Sequence, residues 1–146
     1  MRHVLRSAVV LLASVAAAGV VAIVGASPAQ ASTIHGCWGS GGAHSDGYGT
    51  YGTAYCNAYL PGSIMDLGTP IGYLNAGTSW FVCQDSFYAN PYAGGPTNTY
   101  WLYTEADSPA VWGWFPANRI SGGSNNQPIP GLRDCDEIPV FTGGAP

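Results

Sequence analysis

Glycine and proline fall so often along this chain that long helices have little room to form. The 146 residues include 21 Gly and 11 Pro. Gly penalises a helix interior through backbone entropy, and Pro through a missing donor and a ring clash. Disorder fits no better. Disordered chains combine low hydrophobicity with high net charge, whereas here 47% of residues are hydrophobic and 8% charged. The expectation is a folded, all-β chain.

Residues 1–31 read as a secretory signal peptide. Arg2 and Arg6 lie in a basic start, Ala8 to Val24 is apolar apart from Ser14 and Gly19, and Ala29-Gln30-Ala31 is a small-x-small cleavage signal. The alternative, an uncleaved anchor, has a run at the short limit for a ~30 Å hydrocarbon core. Ser27-Pro28 also breaks a helix just before the cleavage signal. No cysteine marks a lipid anchor at that point, and no adjacent arginine pair marks the twin-arginine route. Cleavage after Ala31 leaves 115 residues, one domain's worth, secreted and extracellular. Two of the four basic residues leave with the leader. Arg119 and Arg133 then stand against all eight acidic residues, a net charge of −6, with no lysine. Phosphate backbones and anionic membranes are recognised through Lys and Arg, so neither nucleic acid nor membrane is an expected partner of the mature chain. No sequence feature calls for a cofactor, and the oligomeric state stays open.

Cys37, Cys56, Cys83 and Cys135 all follow the leader. An even number of cysteines in an exported chain reads as disulfides, because the compartment is oxidising and a small core needs support. Four cysteines allow three pairings. Cys37 with Cys56 and Cys83 with Cys135 is preferred, because it staples the two flanks with least regular structure. A zinc site would need a spacing such as C-x-x-C, which does not occur.

Residues 32–66 read as a Gly- and Tyr-rich N-terminal extension. Within it Tyr51, Thr53, Tyr55, Asn57 and Tyr59 alternate with Gly52, Ala54, Cys56 and Ala58, a strand with a tyrosine-bearing face. Such a row is either a stacking surface for sugar or peptide, or a cover over a small core. From residue 67 the chain reads as short strands divided by turns. Ile71 to Leu74 and Thr78 to Gln84 form an expected hairpin about Asn75-Ala76-Gly77, residues 85–98 a long polar loop, and Tyr100 to Thr104 and Ala110 to Phe115 two further strands ended by Pro116-Ala117-Asn118. No helical crossover separates them, so a small antiparallel barrel over residues 67–121 is expected. Residues 122–146 read as an extended tail, pinned at Cys135 and frayed from Thr142.

Ile71-Gly72-Tyr73-Leu74-Asn75-Ala76-Gly77-Thr78, Trp101-Leu102-Tyr103 and Trp112-Gly113-Trp114-Phe115-Pro116-Ala117-Asn118-Arg119-Ile120 resemble the bacterial SH3-like domain, with its IG-x-L-x-x-G hairpin and closing GW-V strand. The ending is also similar to the eukaryotic SH3 pattern G-Y-I-P-S-N-Y-V, and the arrangement resembles short exported actinobacterial proteins of uncharacterised function. The resemblance spans roughly Leu67 to Ser121. It implies a five-stranded, partly open barrel that binds peptides or cell-wall material and catalyses nothing. Its peptide-binding aromatics correspond to Tyr100, Trp114 and Pro116, with Asn118 as a donor beside them; Arg119 stands where the eukaryotic pattern has its last tyrosine.

Apart from any family, Trp80, Tyr100, Trp101, Tyr103, Trp112 and Trp114 crowd into thirty-five residues. By strand alternation, Tyr100, Leu102 and Thr104 face away from Trp101 and Tyr103, and Trp112 and Trp114 share a face. Six rings exceed a core this small, so some are expected to be exposed as a binding surface; the opposing reading packs them under the 85–98 loop or the tail. Chemistry has weaker signals. His44-Ser45-Asp46 are consecutive, whereas triad members meet through the fold, and they read as solvated loop residues beside His35. Glu105 and Asp107 sit in an expected turn, where Asp caps backbone groups. Two functions follow. One is a non-catalytic module with an aromatic groove for an extended peptide or cell-wall glycan; the other is a disulfide-stabilised structural or interaction protein, an inhibitor or surface component, without a groove. A tail lying across Tyr100 and Trp114 distinguishes the second.

Overall fold

The computed structural model describes residues 36–139 and 141, so the leader, His35 and the end of the tail from Thr142 lie outside the described residues. The described residues belong to a single unit. They are all-β, with eight strands: β1 (Cys37–Ser45), β2 (Thr50–Ala58), β3 (Gly62–Asp66), β4 (Thr69–Leu74), β5 (Gly77–Phe81), β6 (Gln84–Ser86), β7 (Tyr100–Glu105) and β8 (Trp112–Pro116). Short 3-10 turns follow at Ala117–Arg119 and Cys135–Glu137.

The strands form two antiparallel sheets rather than the expected single five-stranded, partly open barrel. One has the order β1-β2-β5 and the other β4-β3-β8-β7-β6. The expected hairpin between residues 71–74 and 78–84 is absent: β4 pairs with β3, and β5 pairs with β2 in the other sheet. The actual hairpin is β3-β4, closed by Leu67 (φ 46) and Gly68 (φ 79). Positive φ at both central residues is the primed turn that matches strand twist. Leucine rarely adopts it, so the turn does not announce itself in the sequence.

Residues 32–66 are therefore more than an extension, since β1, β2 and β3 supply strands to both sheets. The second sheet does have five strands, but it takes β3 from before residue 67. β5 and β6 are nearly continuous and turn the corner between the sheets. At that corner Val82 N donates to Tyr103 O and Tyr103 N to Cys83 O, both at 2.9 Å.

The second sheet is buried on both faces, which accounts for the crowded rings. Leu102 and Phe115 pack on one side with Ile64, Leu74 and Phe81. Trp101, Tyr103 and Trp114 pack on the other with Tyr51, Val82 and the Cys83–Cys135 disulfide. The period of two on β2 holds, but burial changes face along it: Tyr51 and Thr53 are covered at one end, Cys56 and Ala58 at the other.

The tail contributes core rather than hanging from it. Ile129 and Leu132 are buried in the first cluster. The buried Gln84 side chain accepts from Ile129 N at 2.6 Å and donates to Ile129 O at 3.0 Å and Leu132 O at 2.7 Å. Cys37 N donates to Pro130 O at 2.7 Å. That approach needs glycine twice, since a Cβ on Gly36 or Gly131, both at positive φ, would come within 2.1 Å of Pro130 O or Cys37 O. Both disulfides have the preferred pairing, Cys37–Cys56 across β1 and β2 and Cys83–Cys135 between the corner and the tail.

Candidate functional site

Of the four residues expected to form a groove, three are buried. Trp114 is 1% and Asn118 4% exposed, and Pro116 at the end of β8 is also buried. Tyr100 is half-buried. The expectation of an exposed Trp114 fails because both faces of β8 are covered. Phe87 from the 85–98 loop meets the Trp114 ring edge-on at 5.0 Å. Phe141 from the tail lies 5.9 Å from it, and also packs against Tyr103 at 5.0 Å and Tyr51 at 5.9 Å.

The expected Asn118 donor is also occupied. Its Nδ2 donates to Pro91 O at 2.9 Å, while its backbone N–H donates to Asn90 Oδ1 at 3.0 Å. Asn90 Nδ2 donates in turn to Tyr100 O at 2.9 Å, and Tyr88 packs edge-on against Trp101 at 5.1 Å. The long loop thus lies where an external ligand was expected. Tyr100 borders a cavity, about 350 Å³ in volume, which Asp85, Ser86, Asp134 and Asp136 also line.

The other sequence candidates have structural partners. His44 stacks face-on over Trp80, with centroids 3.7 Å apart, and its Nε2 lies 3.1 Å from Gly41 O. Asp46 closes the β1-β2 turn by accepting from Tyr48 N at 2.8 Å and Gly49 N at 2.9 Å, and its second oxygen accepts from Tyr103 OH at 3.1 Å. Both are half-buried rather than solvated loop residues. Burial, followed by the neighbouring Asp46 charge, pushes the Tyr103 phenol well above its usual range. Asp107 Oδ2 accepts from both the backbone and the side-chain amide of Asn75. Among the described residues no three His, Cys, Asp or Glu side chains converge as a metal site would require.

Exposed rings remain on the 85–98 loop, at Tyr88 and Tyr92, at Tyr59, whose OH donates to Asn118 O, and on the three-stranded sheet. Trp38 (42%) and Tyr55 (37%) are exposed on the three-stranded sheet, with centroids 6.5 Å apart. Trp38 pairs with Tyr55 and Tyr55 with Trp80, so the three share one rung and one face. Trp80 is half-buried and continues at 5.2 Å to Trp112. The alternation on β2 marks Tyr55 as a candidate surface residue; Trp38 escapes because glycines surround it and no period is legible there. No protein-family model, curated protein or solved structure matches the chain.

Proposed function

We propose that the chain is an exported, disulfide-stapled, non-catalytic interaction module that takes an extended peptide or cell-wall glycan on an open aromatic face. The observation that carries this is the division of its rings. Phe87 and Phe141 cover Trp114, while Trp38 and Tyr55 are exposed side by side as one cross-strand pair of the three-stranded sheet. Clustered exposed aromatics combine apolar area, small entropy loss and polar edges, the properties of binding hot spots. Two disulfides suit an oxidising compartment, and among the described residues no helix is long and apolar enough to cross a membrane. An SH3-like origin for residues 67–121 belongs to the same reading; these residues supply β4, β6, β7 and β8 of the five-stranded sheet.

A purely structural role is the second reading, favoured by the tail packed across Trp114. Co-sedimentation with purified cell-wall sacculi separates the two. The proposed module is recovered with the pellet, and a protein that stays in the supernatant at every concentration has the structural role instead.

A further inference from the structure

Rings on a β-sheet surface become a platform when neighbours across strands lie on one side, and sheet geometry provides this here. Trp38, Tyr55 and Trp80 occupy a single rung of β1, β2 and β5, and Trp112 extends the row onto the second sheet. Openness falls along the row, from exposed Trp38 and Tyr55 to half-buried Trp80 and Trp112. His44, stacked on Trp80, fixes that ring and closes the end of the platform.

The charges around the row select among ligands. Neither described arginine serves it. The Arg119 guanidinium donates to Pro61 O. The Arg133 guanidinium donates to Val82 O at 3.1 Å and Gly52 O at 2.6 Å, and Gly52 alternates with Thr53 and Tyr55 on β2. Carboxylates border the row: Glu105 is the cross-strand partner of Trp112, and Asp46 accepts from the OH of Tyr103, whose ring packs on Trp112. A polyanion therefore meets carboxylates and no compensating arginine. Long aliphatic side chains do not line the open part of the row, so an apolar helix finds little to interdigitate with. An uncharged sugar chain suits it: the C–H face of an equatorially linked pyranose is flat and apolar, lies against aromatic rings, and leaves its hydroxyls at the rim.

We infer that the Trp38–Tyr55 pair is a stacking site for an uncharged, β-linked glycan lying across the three-stranded sheet. This rests on the interaction-module reading and adds to it the ligand class and the residues. The rings stack on successive sugar faces, and with no ion pair in the contact the affinity is nearly independent of salt.

The oxidised protein is co-sedimented with chitin, with cellulose, and with intact sacculi, the last with and without excess soluble stem peptide, each at low and high salt. Binding to at least one uncharged polysaccharide is expected, with little change on adding salt. Trp38→Ala and Tyr55→Ala each weaken it on the order of tenfold, as loss of a hot-spot ring does. Trp38→Phe retains most of it, which separates stacking from folding, and thermal melting of each variant verifies the fold. Binding to sacculi that soluble stem peptide abolishes, with none to chitin or cellulose, would point to a peptide ligand, overturning the glycan while leaving the module. Undiminished binding by Trp38→Ala and Tyr55→Ala would overturn the site. Absence of binding to every one of these probes overturns both readings together.

Discussion

Gln84 shows how much one side chain carries when it is buried where a sheet meets irregular backbone. Its amide satisfies the Ile129 N–H and the Ile129 and Leu132 carbonyls, so the tail enters the core without leaving backbone groups unpaired. Gln84→Leu keeps the volume and strands those groups; a loss of at least about 2 kcal/mol is expected in denaturant unfolding, and an unchanged midpoint would show that the tail is held by other means. Tyr103 gives a pH signature. Its folded-state pKa lies above the usual value of 10.0, because burial and then the Asp46 charge disfavour the phenolate. A raised pKa contributes stability that is complete below pH 10 and is lost as pH rises toward the folded value. Ultraviolet titration should show Tyr103 among the tyrosines that resist ionisation, and resisting until the molecule unfolds in alkali. Asp46→Asn removes the charge and should bring that transition to lower pH; an unmoved transition assigns the resistance to burial alone. Neither feature is legible in sequence, since Gln84 and Tyr103 look like ordinary members of short strands.

At the scale of elements, the strands were legible where residue period and turn chemistry agreed, and pairing was not. β7 and β8 lie close to their expected limits because Tyr100 to Thr104 and Ala110 to Phe115 are short β-rich runs bounded by turn residues, with Pro116 closing the second. The β3-β4 hairpin was missed because leucine holds its positive-φ position, and Asn75-Ala76-Gly77 resembles a hairpin turn while joining strands of different sheets. The site suffered from the same gap. A ring's face follows from alternation, but whether that face is open depends on what returns to cover it. Here a loop and a tail without any period supply Phe87 and Phe141. The tail should behave as a separable strap. Phe141→Ala combined with Ile138→Ala should raise the acrylamide-quenchable share of tryptophan emission, by opening Trp114, and lower stability by about 2 kcal/mol in total, both side chains being only half-buried. Emission quenched no more than in the parent would mean that Trp114 is shielded by Phe87 alone.

Over the whole molecule, the two disulfides do different work, although composition suggests only that both exist. Cys37–Cys56 joins directly opposed residues of neighbouring strands, across a sequence separation of 19, where the β1-β2 ladder already holds the chain. Cys83–Cys135 spans 52 residues and ties the corner between the sheets to the tail, whose residues fill both core clusters. Loop closure alone predicts about 3 kcal/mol for the shorter loop and about 4 kcal/mol for the longer. Chain entropy therefore separates the two only modestly, and the structural difference should dominate. Replacing Cys83 and Cys135 by serine also places two hydroxyls among Tyr103, Trp114 and Val82, where unpaired polar groups are costly. Alanine at both positions is the cleaner probe. Its loss should exceed that of the Cys37→Ala and Cys56→Ala pair by more than the roughly 1 kcal/mol that loop length accounts for. The two variants should also fail differently. Without Cys83–Cys135 the strap loosens, and acrylamide reaches Trp114 at denaturant concentrations where the rest of the sheet still gives its circular dichroism. Without Cys37–Cys56 the edge strand β1 loosens instead, moving Trp38 and weakening any ligand on the Trp38–Tyr55 pair while Trp114 stays shielded. Two variants with equal stability losses and coincident unfolding by both probes would show that the sheets and tail unfold as one, with the disulfides acting on the unfolded chain alone.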